Sequence, residues 1–270
     1  MPSRLNMRPR EKPRAAFLLA FAFSIIFATQ SFAASEKRSA PAGSYDGAPA
    51  EFTKFSAAEL SRGFLALAFG SDLRVGTKPK GIRRFDNAVR IHVAGGGGGV
   101  IRSEAYRLIL HEFTEKIPNL NASIVADAAN ANIVVRLIDE KDFVSAMEAA
   151  FGRETAREFV KRTDPQCMTS LKSQAEGKVL RADVFIIVDR GDGVFLDCAY
   201  HETLHAFGLS NHDDRNPWTT LNQRRMVGYL SVYDRAMLTL LYDPRIKPGM
   251  TKDEVSRLLP RLIRDLNLAK

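Results

Sequence analysis

Apolar residues recur along the chain with two different periods, and these predict its elements. Helical spacing, with an apolar side chain every three or four positions, covers residues 57–69, 103–117, 140–150 and 154–161. It returns around Leu196, Ala199, Leu204 and Phe207, where Gly208 marks a stop. Strict alternation over 88–94 predicts a half-buried strand. The nearly continuous apolar runs at 131–138 and 181–188 predict strands covered on both faces. Asp192-Gly193 then turns the chain from the last strand toward the helix around Leu196. Strands interleaved with helices, and no internal repeat, predict one α+β domain over residues 51–270, a small mixed sheet packed on helices.

Two segments fall outside that pattern. Arg4, Arg8, Arg10, Lys12 and Arg14 precede an apolar run at 15–28, and Ser31-Phe32-Ala33 follows with small residues. This is the order of a signal peptide cleaved before Ala34. The apolar run is short for a bilayer span, which needs about 20 residues, and no second run approaches that length. Residues 1–33 therefore read as a leader and 34–50, rich in Ala, Ser, Gly and Pro, as a flexible lead-in. A periplasmic or secreted location follows: the mature chain is expected in the periplasm or outside the cell, with no transmembrane segment.

Export changes the meaning of charge and cysteine. The formal net charge is +8, but without residues 1–33 the chain holds 34 basic against 30 acidic side chains. That excess calls for no nucleic-acid partner, and the cluster Lys78, Lys80, Arg83 and Arg84 reads as a solvated loop. Cys167 and Cys198 are the only cysteines, and an oxidising compartment predicts that they pair. Such a bridge closes a loop worth about 3 kcal/mol in the chain-entropy model. The glycines at 95–99 follow a strand, but Val100 and the lack of a Gly-Lys-Ser/Thr sequence argue against a phosphate-binding turn. They read as a surface loop.

The candidate chemistry lies in His201-Glu202-Thr203-Leu204-His205. Histidines four apart share a helix face and can reach one metal ion, and the glutamate between them is placed to accept a proton from water there. After the helix comes Gly208-Leu209-Ser210-Asn211-His212-Asp213-Asp214. Metzincin spacing would put a third ligand at Asn211, yet asparagine is a poor zinc ligand. A loop absorbs a one-residue slip more easily than a helix, so His212 is preferred, with Asn211 and Asp213 left open.

The chain resembles the bacterial envelope family known as domain of unknown function 2927. The similarity extends loosely over 50–260 and is strongest from Cys167 to Met250. It rests on Cys198 before the helix, Gly208-Leu209 after it, and the segment Tyr229 to Met250 with its Leu-Tyr-Asp-Pro-Arg run and Pro-Gly-Met end. That family is related in pattern to zincin metallopeptidases, although many members carry glutamate and glutamine at the ligand positions. The resemblance implies a zincin-like domain and hydrolysis of an amide bond. His201, His205 and His212 would hold Zn2+ and Glu202 would serve as general base. Tyr229 would donate to a developing oxyanion, ahead of Tyr233, which reads as a core residue at a helix start. Met226 is set against a methionine turn beneath the metal and reads as a packing residue. Asp234 would cap or orient the next helix. The implied partner is a peptide or protein substrate in the cell envelope; the alternative is a non-catalytic envelope binding module on the same scaffold.

Overall fold

The computed structural model describes residues 24–26, 54–69, 80–95, 98–163 and 165–270. Among these, β1 (Ser24–Ile26), β2 (Val89–Gly95), β3 (Ala122–Ile124), β4 (Ile133–Ile138), β5 (Cys167–Ser173) and β6 (Val179–Ile187) form one sheet in the order β1-β5-β6-β4-β2-β3. Strands β3, β2, β4 and β6 run parallel, and β5 lies antiparallel against β6. Beyond β5, Ser24–Ile26 pairs antiparallel with Thr169–Leu171, although those three residues lie in the stretch read as a leader. The lead-in at 34–50 lies outside the described residues.

Strand β6 shows why its run is apolar throughout. Val184 and Ile186 enter the main core, whereas Phe185 and Ile187 point to the opposite face. There they meet Phe143 and Met147 of α3 (Glu140–Phe151) and Ala156 and Phe159 of α4 (Arg153–Thr163). On the first face, α2 (Gly99–Lys116) packs on β2 and β4 and touches α5 (Asp192–Ala206), which lies on β5 and β6. A third layer joins α1 (Ala57–Phe69) to α6 (Val232–Tyr242) and α7 (Lys252–Asp265). The mixed α+β architecture expected from the apolar periods is present.

Several local expectations shift. Helix α2 starts at Gly99 rather than Ser103, because Gly99 lets the helix settle on β4: a Cβ there would lie 2.6 Å from the Leu137 carbonyl oxygen. The basic cluster is not a solvated loop. Lys80 is exposed, but Arg83 is buried, and the half-buried Arg84 donates through Nη1 to the Leu241, Asp243 and Ile246 carbonyls at 2.7, 3.2 and 2.9 Å. Those carbonyls at the end of α6 have no helical partners, which is why a guanidinium is drawn inward. Lys78 lies outside the described residues.

Cys167 and Cys198 form a disulfide with Cα atoms 5.8 Å apart, tying β5 to α5. A second tie runs from Thr169 Oγ1 to the Glu202 carbonyl at 3.0 Å. Among the described residues, no helix is long and apolar enough to cross a membrane.

Candidate metal centre

Helix α5 is held along its length before it presents any chemistry. Arg102 of α2 pairs with Asp192 in its first turn, and Tyr106 Oη meets Thr203 Oγ1 at 2.6 Å. The helix ends where Gly208 adopts φ +116. A side chain at that position is excluded twice, by the backbone angle and by space, since a Cβ would lie 2.2 Å from the Arg83 carbonyl oxygen. The sharp turn there sends the chain back across the helix end.

Hydrogen bonds then sort the residues of the returning loop. Ser210 N and Asn211 Nδ2 donate to the Leu67 and Ala66 carbonyls at the end of α1, at 3.0 and 2.9 Å. Asn211 is thereby committed to α1 and turned from the metal-binding role. Asp213 accepts from Arg215, and Asp214 accepts from the Gln223 amide. His212 instead meets the helix histidines. Nε2 of His212 lies 2.8 Å from Nε2 of His201 and 3.1 Å from that of His205, which is 3.1 Å from His201.

This buried triad can hold a metal ion; its ligand atoms all lie within 4.8 Å of one another. Three imidazole nitrogens bound tetrahedrally at zinc-like distances would stand about 3.3 Å apart, close to the observed triangle. Two rings are oriented by backbone carbonyls. His201 Nδ1 donates to Thr220 O at 2.9 Å and His205 Nδ1 to Leu209 O at 2.5 Å. A proton on Nδ1 leaves the Nε2 lone pair of each neutral ring facing the common centre. Burial pushes the His201 pKa down to about 4 and that of His212 down to about 3. His205 is driven well below the ordinary range by burial, then by His201 and Arg83. Neutral imidazole is the form that ligates.

The shell around the triad was only partly foreseen. Thr220 is fixed from behind by Asp234, whose Oδ2 accepts from the Thr220 amide at 2.8 Å and whose Oδ1 accepts from Thr219 Oγ1 at 2.5 Å. The cap of α6 is Ser231, whose Oγ accepts from the Asp234 amide and donates to Asp234 Oδ2; Asp234 therefore supports the cap rather than forming it, and stands behind His201 as well. Backbone carbonyls leave no mark in a sequence, so Thr220 and Leu209 carried no signal. Glu202 is fully buried, neither carboxylate oxygen has a hydrogen-bond partner among the described residues, and burial pushes its pKa up to about 8. Asp197, one turn before His201, accepts from the Val227 amide at 2.6 Å, and burial raises its pKa to about 7.

The remaining candidates are placed differently. Tyr229 is half-buried and joins the wall of the site through its carbonyl, which accepts from Thr220 Oγ1 at 3.1 Å. Tyr233 is a core residue at the start of α6, as expected. Met226 is 52% exposed, so it neither floors the triad nor packs in the core; Val227 takes the buried position beside it. Between α1 and residues 213–218 lies a cleft of about 380 Å3 lined by Phe55, Arg62, Asp213, Trp218 and Tyr233 among others, and none of the three histidines lines it.

Comparison with curated proteins returned no match, and comparison with solved structures returned none. Residues 57–261 match the family described as "Protein of unknown function (DUF2927)". That span holds the sheet from β2 to β6, helices α1 to α6 and the histidine triad, and on that match the chain belongs to this family.

Proposed function

We propose that the protein is an exported zinc-dependent metallopeptidase in which His201, His205 and His212 hold the ion. The observation carrying this reading is the convergence of three buried Nε2 atoms, two of them aimed by backbone carbonyls, on the helix that also carries Glu202. A nitrogen-only donor set suits zinc. Zinc, when held there, supplies Lewis acidity toward water and toward a scissile carbonyl. Glu202 accepts the proton of the attacking water and passes it to the leaving amine. Tyr229 donates to the oxyanion that develops as the carbonyl is attacked. The outer edge of β5, along which Ser24–Ile26 pairs, accepts an extended substrate by strand addition once a leader is removed.

A second reading, a non-catalytic envelope binding module, is favoured by one observation: Glu202 and His205 are 0% exposed, which suits a structural ion better than a working one. One comparison separates them. The first reading expects one zinc per chain by native mass spectrometry, and hydrolysis of a mixed peptide library. Glu202→Gln should keep the zinc and lower hydrolysis about 100-fold or more. Zinc without hydrolysis would leave the binding module standing; a metal-free protein after exposure to zinc would refute the metal centre itself.

A further inference from the structure

Arg83 is a buried cation that the reaction above does not use. It is 5% exposed, its Nε is sealed from solvent without a hydrogen-bond partner, and its guanidinium forms no hydrogen bond or ion pair with the described residues. Its neighbour Arg84 shows what a structural arginine looks like here, with carbonyls satisfying it and the Tyr242 ring 4.8 Å away. Among the described residues Arg83 has no such partners. Burial lowers its pKa only to about 10, so it stays charged near neutrality, and among the described residues no carboxylate pairs with it.

Its position is beside the triad. The Arg83 carbonyl packs against Gly208 at the end of α5, three residues beyond His205. Three neutral imidazoles bring no negative charge, so a bound dication would add to an uncompensated positive one. A buried charge without a partner is costly, and an anion reaching both would relieve both. The guanidinium fork matches a carboxylate in shape and hydrogen-bond direction.

We propose that Arg83 binds a substrate carboxylate beside the metal centre, so that the protein acts on peptides carrying an anionic group close to the scissile amide. The choice of reaction rests on the metallopeptidase reading; the carboxylate rests on Arg83 itself.

The test is calorimetric titration of zinc-loaded Glu202→Gln protein with three probes: N-acetyl-trialanine as the free acid, the same peptide amidated, and amidated N-acetyl-Ala-Asp-Ala. At least one carboxylate probe should bind tenfold or more tightly than the neutral amide. A preference for the free acid identifies a terminal carboxylate, and a preference for the aspartyl peptide identifies an acidic side chain. Adding Arg83→Met, which keeps length and removes charge, should abolish the preference while zinc content and Tm hold. No preference in the Glu202→Gln protein, or one that survives Arg83→Met, overturns the proposal. Should Arg83→Met fail to fold, Arg83→Lys, which keeps charge without the fork, should cut the preference at least threefold, and an unchanged preference overturns it. If the protein takes up no zinc, the metallopeptidase reading falls, and the same titrations on metal-free protein decide Arg83 by the same outcomes.

Discussion

Asn211 and His212 are neighbours, yet the fold gives them opposite tasks, and hydrogen bonding decides which. The end of α1 presents carbonyls without helical partners, and the Asn211 amide satisfies one of them. A histidine at that position would not reach Ala66 in the same way, while the next residue emerges on the side of His201 and His205. Asn211→Ala should therefore leave zinc content near the parent value and cost about 1 kcal/mol of stability, the worth of a hydrogen bond. His212→Ala should strip the metal instead. Both effects are readable from native mass spectra and melting curves of the two variants, and the opposite pattern would show that the ligand register is wrong. Asp234 acts one residue further back. Through Thr220 it fixes the carbonyl that orients His201, and partners of this kind are typically worth 10–100-fold in metal affinity. Asp234→Ala should weaken zinc by that range in a chelator competition, whereas Asp234→Asn, which keeps an acceptor for the Thr220 amide, should recover much of it. Equal loss in both variants would mark Asp234 as a support of the α6 cap with no part in the metal site.

At the scale of elements, β5 and α5 form a clamped pair. The Cys167–Cys198 bridge and the Thr169–Glu202 hydrogen bond both cross between them, so the strand and the helix move together. Removing the bridge by Cys198→Ala should cost about 2–5 kcal/mol, measured by chemical denaturation, and unfolded, unreduced protein should titrate with no free thiols. Two reactive thiols in material recovered from an oxidising compartment would contradict it. The pairing was legible from two cysteines and the expectation of export, but the strand carrying one of them was not. Cys-Met-Thr-Ser-Leu-Lys-Ser neither alternates nor runs apolar, and it becomes a strand because β6 pairs along it and α5 covers it. Short β3 was hidden for the same reason: three residues carry no period. Helix α7 was readable and missed. Thr251 and Glu254 form a capping box, followed by Val255, Leu259, Leu262 and Ile263 on one buried face. In the site, residues whose side chains act were visible from spacing, whereas Thr220 and Leu209 act through carbonyls. Arg83 was read as a surface charge because burial depends on the partner surfaces of α5 and α6, which a local window cannot show.

For the whole molecule, the triad joins parts that are far apart in folding terms. Two ligands sit on α5 against the sheet, and the third sits in a loop pinned to α1 by Ser210 and Asn211 and beside a wall fixed to α6 through Asp234. An ion bound by all three is bound by the native arrangement and not by an unfolded chain, so metal affinity becomes folding stability. With free zinc at about 100 times its dissociation constant, the gain is about 2.7 kcal/mol. For a domain of this size that corresponds to a rise in Tm of roughly 5–10 °C. Calorimetric scans of the protein with zinc and after chelation should show this difference, and restoring zinc should recover it. In His212→Ala the two scans should nearly coincide, because two imidazoles on one helix no longer link the loop to the core. A zinc-dependent shift of the same size in that variant would place the ion elsewhere; no shift in the parent would show that the three histidines are packed together without an ion to hold.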